Sequence, residues 1–154
     1  MPGHTDNSII IEADLDLVWD MTNDVSSWPD LFTEYAAADI LDRRGDTVVF
    51  RLTMHPDDEG RVWSWVSERT PDPATRTVCA HRVQTGPFKY MALFWEFTQE
   101  PGGVRMRWVQ DFEMKPAAPA SDAGMTEHLN RNTVSQMNVI KSKVESAARL
   151  ARVA

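Results

Sequence analysis

A chain of 154 residues, 42% hydrophobic and 25% charged, can bury one sizeable core within an ordinary globular composition. Its formal net charge of −7 argues against nucleic acid and anionic membranes as partners. Cys79 is the only cysteine, which excludes an internal disulfide and gives no sign of an oxidising compartment. Met1 to Asp6 lack a basic segment followed by an apolar run, and nothing approaches the roughly 20 apolar residues of a membrane helix, so a cytoplasmic protein is expected. Six tryptophans and eight methionines supply flat aromatic and adaptable apolar surface.

Asn7–Glu12 (NSIIIE) is a β-branched run that predicts the first strand. Asp14 or Asp16 can cap the helix after it, which puts Leu15, Val18, Trp19 and Thr22 on one face and ends at Asn23-Asp24. Ser26–Phe32 predicts a second short helix with a serine cap and Pro29 in its first turn. Continued to Tyr35, that helix would align Trp28, Phe32 and Tyr35. Strands are predicted over Ala36–Arg43 and Thr47–His55, joined by a turn at Gly45-Asp46. The adjacent carboxylates Asp57, Asp58 and Glu59 lie in a turn-forming stretch and read as a solvated loop, not a metal cluster.

Arg61–Arg69, Thr75–Gln84, Tyr90–Gln99 and Val104–Met114 complete the predicted strands, separated by Pro- and Gly-rich turns. Met91, Leu93, Trp95 and Phe97 share one face of the third of these. Gln110 is the single polar member of the row Val104, Met106, Trp108, Gln110, Phe112, Met114. After the loop Lys115–Gly124, Met125 to about Val153 predicts a long helix with Met125, Leu129, Met137, Ile140 and Val144 on its apolar stripe and His128 and Asn132 beside it. The order is strand, two short helices, six strands, long helix. It fits an α+β architecture in one domain over residues 1–154, a curled antiparallel seven-stranded sheet around the C-terminal helix.

The stretch Arg61–Arg69 carries the most chemistry. Alternation places Arg61, Trp63, Trp65, Ser67 and Arg69 on one face, two indoles and a hydroxyl between cations. Phosphate loops, H-E-x-x-H, C-x-x-C and G-x-S-x-G are absent, and His4, His55, His81 and His128 have no ligand spacing. What remains is a tryptophan-lined cavity between sheet and helix, with Arg69, Tyr35, Ser67, Gln110 and His128 as polar groups, and Arg82 if its face turns inward. No cofactor is implied. Such a cavity suits either a carrier of hydrophobic ligands or an enzyme whose substrate brings its own reactivity. A poly-β-ketone has that property, since a methylene between two carbonyls is acidic without a metal; the protein then fixes one conformer, stabilises an oxyanion and moves protons. On the last helix, Lys141, Lys143, Arg149 and Arg152 form either a solvated face or a partner surface.

The stretches TDNSIIIEADLDLVWDMTNDVSSWPDLFTEYAAADIL, GRVWSWVSERTPD, RTVCAHRVQTGPFKYM, MRWVQDFEMKPAAP and MTEHLNRNT resemble the aromatase/cyclases of bacterial type II polyketide systems, above all the tetracenomycin and spore-pigment type. The resemblance implies a helix-grip fold. It implies aldol closure and dehydrative aromatisation of a poly-β-ketone on acyl carrier protein, in concert with the minimal polyketide synthase, with C9–C14 as the first ring and C7–C16 as a candidate second. It places the central arginine on Arg69 and the tyrosine on Tyr35. Pocket aromatics and apolar groups fall on Trp28, Phe32, Trp63, Trp65, Phe88, Met91, Trp95 and Trp108, and polar lining on Ser67, Arg82, Gln110 and His128.

Overall fold

The computed structural model describes residues 2–153. Strand β1 (Gly3–Ile11) leads into helix α1 (Leu15–Asn23), a 3-10 turn (Val25–Ser27) and the single-turn helix α2 (Trp28–Leu31). Six strands follow: β2 (Tyr35–Arg44), β3 (Thr47–Met54), β4 (Ser64–Asp72), β5 (Thr77–Arg82), β6 (Phe88–Glu100) and β7 (Gly103–Met114). Helix α3 (Asp122–Val153) is the last described element. The sheet order is β1-β7-β6-β5-β4-β3-β2, with every pair antiparallel. Consecutive hairpins account for all of it except the pairing of β1 with β7, which runs from Gly3↔Phe112 to Ile11↔Val104. This is the sheet-and-long-helix layout expected from the order of elements, and it agrees with the helix-grip fold that the resemblance implies.

The register of the sheet depends on period-2 alternation. Val104, Met106, Trp108, Phe112 and Met114 are buried along β7, and Met91, Trp95 and Phe97 along β6. At the hairpin between them Gly103 has φ +142°, and a Cβ there would meet the Ile11 carbonyl oxygen at 2.3 Å. Only glycine lets β1 pack that closely. Register shifts interrupt β2 between Tyr35 and Ala37 and β6 between Phe88 and Tyr90. Such bulges bend strands and re-aim side chains, and both fall at residues singled out from the sequence.

Helix α3 buries Thr133, Gln136, Met137, Ile140, Val144 and Ala148, a stripe at spacings of three and four. It is tied to β1 by Asn7 donating to Asn130 at 2.9 Å and Lys141 donating to the Ile10 carbonyl at 2.7 Å. It is tied to the segment after α2 by Gln136, which accepts from the Thr33 backbone N–H at 3.0 Å and donates to the Thr33 hydroxyl at 2.8 Å. Lys143 also donates to the Asp30 carbonyl.

Two expected elements are corrected. The strand expected from Arg61 starts at Ser64. The Asp57 carboxylate accepts hydrogen bonds from the backbone N–H groups of Glu59 and Arg61 and from the Trp63 indole, so residues 57–63 close on themselves as a turn. The helix expected to carry Trp28, Phe32 and Tyr35 ends at Leu31, where Phe32 adopts φ −101°, ψ 154° and Tyr35 opens β2.

Ile140 is fully buried, and Leu150 on the same helix is 72% exposed. Ile140→Ala should therefore cost about 2–5 kcal/mol and Leu150→Ala no more than about 0.5 kcal/mol. Urea unfolding of the two variants checks the pair.

Candidate functional site

Arg69 lies on the inner face of β4, opposite Val48 and Ala80, and only 3% of it is exposed. Its neighbours across the sheet are small enough to let a long side chain cross the interior. The guanidinium donates to Asn23 Oδ1 at 3.0 Å and to the Thr22 carbonyl at 3.4 Å. Asn23 is held in turn by donating to the Trp19 carbonyl at 2.9 Å. These acceptors belong to the last turn of α1, the negative end of that helix dipole. Cζ sits 4.3 Å from the centroid of the Trp95 ring and 5.1 Å from that of Trp28. No carboxylate makes an ion pair with Arg69 among the described residues. Burial pulls its guanidinium down to about 9, so it remains a cation at neutral pH.

An aromatic cluster surrounds this cation. Trp95 and Trp108, directly paired across β6 and β7, stack at 4.3 Å with 12° between planes. Trp28 stacks on Trp95 at 5.9 Å and on Tyr35 at 6.1 Å; Phe32 lies against Trp28, Tyr35 and Trp108. Trp65 meets Tyr35 edge-on at 6.2 Å. Ser67 is buried on the same face of β4. The rings expected to line a cavity here stack on one another, and a ligand that lies between them has to part them. Two hollows lie elsewhere. One of about 400 Å³ is on the sheet and is lined by Glu68, Cys79, His81 and Phe94 among others. The second, of about 230 Å³, lies between Met21, Leu31 and Lys143. Neither includes Arg69 or a ring of its cluster.

Tyr35 is buried, and burial followed by the negative charge of Glu34 pushes its hydroxyl well above the usual phenol value, against the opposing charges of Arg82 and Arg69. Its hydroxyl therefore stays protonated at neutral pH. Arg82 does turn inward: its Cζ lies 4.1 Å from the Trp65 centroid and 4.5 Å from that of Phe88. Burial pulls it down to about 10. Arg82 thus bridges the Arg69 cluster to a second one in which Phe88 and Met91 pack with Phe112 and Met114 beneath the start of α3.

Three sequence-derived assignments are changed by this geometry. Trp63 is 39% exposed, stands outside β4 and donates its indole N–H to Asp57 at 3.0 Å, so it does not join the cluster. Gln110 already accepts from the Thr5 hydroxyl at 2.9 Å and from Thr133 at 3.5 Å, which links β1, β7 and α3; its amide N–H groups have no partner among the described residues. His128 is exposed on α3 and does not join the cluster.

Two functional candidates escaped the sequence reading. Asn23 looked like a helix stop and is the principal acceptor for Arg69. Glu34 precedes Tyr35 and accepts from Asn132 of α3 at 2.8 Å. Burial raises its carboxyl above the usual carboxylate value, opposed by Asn132, His128 and Arg82. It is a half-buried carboxyl next in sequence to the phenol.

Residues 11–137 match the model of a family described as polyketide cyclase/dehydrase and lipid transport. A protein of Streptomyces cyaneus, named as a candidate polyketide cyclase, is 57% identical over 148 residues, 96% of this chain and 97% of its own length. A candidate polyketide cyclase of Streptomyces halstedii is 68% identical over 109 residues, 71% of this chain and all of that one. The crystal structure of the Zhui aromatase/cyclase from Streptomyces sp. R1128 superposes with a TM-score of 0.82 at 23% identity, covering 94% of each chain.

A carboxyl whose value rises on folding stabilises the fold only while protonated, and that contribution is lost as pH rises through the folded value. Glu34→Gln keeps an acceptor for Asn132 and removes the charge. Its melting temperature should equal that of the wild type at about pH 4 and exceed it increasingly towards pH 7, in paired thermal melts.

Proposed function

This chain belongs to the polyketide cyclase/dehydrase and lipid transport family, and from that premise we propose that it directs first-ring closure, C9 to C14, of a poly-β-ketone carried by acyl carrier protein. Membership of that family, and likeness to candidate polyketide cyclases, need no proposal. The finer reading extends to a second closure at C7–C16 and to a spore-pigment product made with the minimal polyketide synthase in the cytoplasm. A single observation supports ring closure at this site: a buried cation, without a carboxylate partner among the described residues, faces a cluster of aromatic rings; the register and the product rest on the sequence resemblance.

The chemistry follows from that cation. A ketone oxygen against Arg69 gains a charge-assisted hydrogen bond that strengthens as the oxygen becomes an enolate or alkoxide. The methylene loses its proton, its carbon bonds to the second ketone carbon, and the alkoxide takes a proton. The aldol then loses a ring proton and its hydroxyl as water. Tyr35, kept neutral by its surroundings, suits delivery of that proton to oxygen. Ser67 and the amide of Gln110 position further carbonyls, and Trp28, Phe32, Trp65, Trp95 and Trp108 set the bend of the chain.

The rival is a carrier of hydrophobic ligands on the same fold, which the family description also covers. Reconstituting the minimal synthase with and without this protein separates them. A directing cyclase converts a mixture of spontaneously cyclised products into one first-ring register; a carrier leaves the mixture unchanged. Arg69→Ala should fold and lower the directed product by about 10²-fold or more, and Tyr35→Phe by about 10²-fold. Normal yield of the same product from Arg69→Ala would refute the assignment.

A further inference from the structure

Two buried donors have no acceptor among the described residues: Nε of Arg69 and Nε1 of Trp108. Their residues are 3% and 5% exposed. An unmatched buried N–H costs more than an ordinary hydrogen bond gains, so interiors seldom retain one. Other interior polar groups here are matched. Trp28 Nε1 donates to the Thr22 carbonyl at 3.2 Å, the Thr5 hydroxyl to Gln110 at 2.9 Å, and Gln136 to the Thr33 hydroxyl at 2.8 Å. The shortfall is local, and Trp95 connects its two members. The Trp95 ring stacks on Trp108 at 4.3 Å and lies 4.3 Å from Arg69 Cζ. Arg69 comes from β4 and Trp108 from β7, with β5 and β6 between them in the sheet, so the donors approach Trp95 from strands on either side of it.

We propose that Arg69 Nε and Trp108 Nε1 are a paired recognition site for two oxygens of one ligand, whose unsaturated skeleton lies against Trp95. The ligand class is a chain or ring bearing at least two carbonyl or enol oxygens. A hydrocarbon lipid would leave both donors unmatched. Trp108 is then a specificity-determining residue through its N–H as well as its ring. Naming the oxygens as ketones rests on the polyketide reading.

The test compares two probes of the same skeleton, benzoylacetone (1-phenylbutane-1,3-dione) and butylbenzene, titrated calorimetrically into the full chain. Trp108→Phe keeps a ring and removes the donor. Its affinity for benzoylacetone should fall about fivefold, while butylbenzene affinity stays within about twofold. Trp28→Phe, which gives up a donor already engaged by Thr22, should lower the melting temperature more than Trp108→Phe and affect both probes alike. Should Trp108→Phe fail to fold, the wild-type chain with ¹⁵N-labelled indoles serves: benzoylacetone should move the Trp108 N–H resonance downfield and butylbenzene should not. Equal loss of both probes, loss of neither, no binding of benzoylacetone to the wild type, or an unmoved Trp108 resonance overturns the proposal. Turnover does not enter this assay. A positive result without directed ring closure in the reconstituted synthase leaves a polyketone carrier. Directed closure without probe discrimination leaves a cyclase that holds oxygen through Arg69 alone.

Discussion

A guanidinium buried without an anion is the constraint around which the interior is arranged. Moving such an ion out of water costs several kcal/mol even after relaxation. Two hydrogen bonds from a charged donor return about 1.5–3 kcal/mol each, and two ring faces up to about 2 kcal/mol each when desolvated. The terms are of similar size, so Arg69 is retained without being quenched. A carboxylate partner would make the burial easier and would remove the unspent positive potential. The acceptors supplied are the end of α1 and the side chain of Asn23, partial charges that leave the cation available to a developing oxyanion.

The rest of the fold holds this arrangement in place. Trp28, Phe32 and Tyr35 come from a short segment with only one turn of helix, which could not fix three large rings alone. Helix α3 fixes them from across the interior: Asn132, Gln136 and Lys143 bind Glu34, Thr33 and Asp30 in turn. The helix that closes the sheet thus also sets the position of the rings against Arg69. At the other edge of the cluster, Arg82 spreads over Trp65 and Phe88 and joins the two groups of aromatics.

Much of this was legible in the sequence, because strand alternation is a strict code. Period 2 put Trp65, Ser67 and Arg69 on one face, and Val78, Ala80 and Arg82 on one face, and those faces are the inner ones. The helical stripe Met137, Ile140, Val144 was equally readable and lies in the core. Failures came where a single side chain overrode the period. Trp63 has the right parity for the inner face, yet Asp57 captures its indole before the strand begins. Gln110 stands out as polar in an apolar row, but Thr5 and Thr133 consume its carbonyl. Glu34 carried no local signal, since its partner Asn132 lies 98 positions away. The stacking of the rings was invisible as well, because a list of inward aromatics does not say whether they stand apart or touch.

The most direct test of the central claim is a crystal structure of this protein with an aromatic polyketone bound. The account predicts rings of the Trp28–Trp95–Trp108 cluster parted, with a ligand oxygen about 2.7–3.2 Å from a guanidinium nitrogen of Arg69. A ligand seated in the hollow beside Cys79 and Phe94, or one that presents only carbon to Arg69, would contradict it.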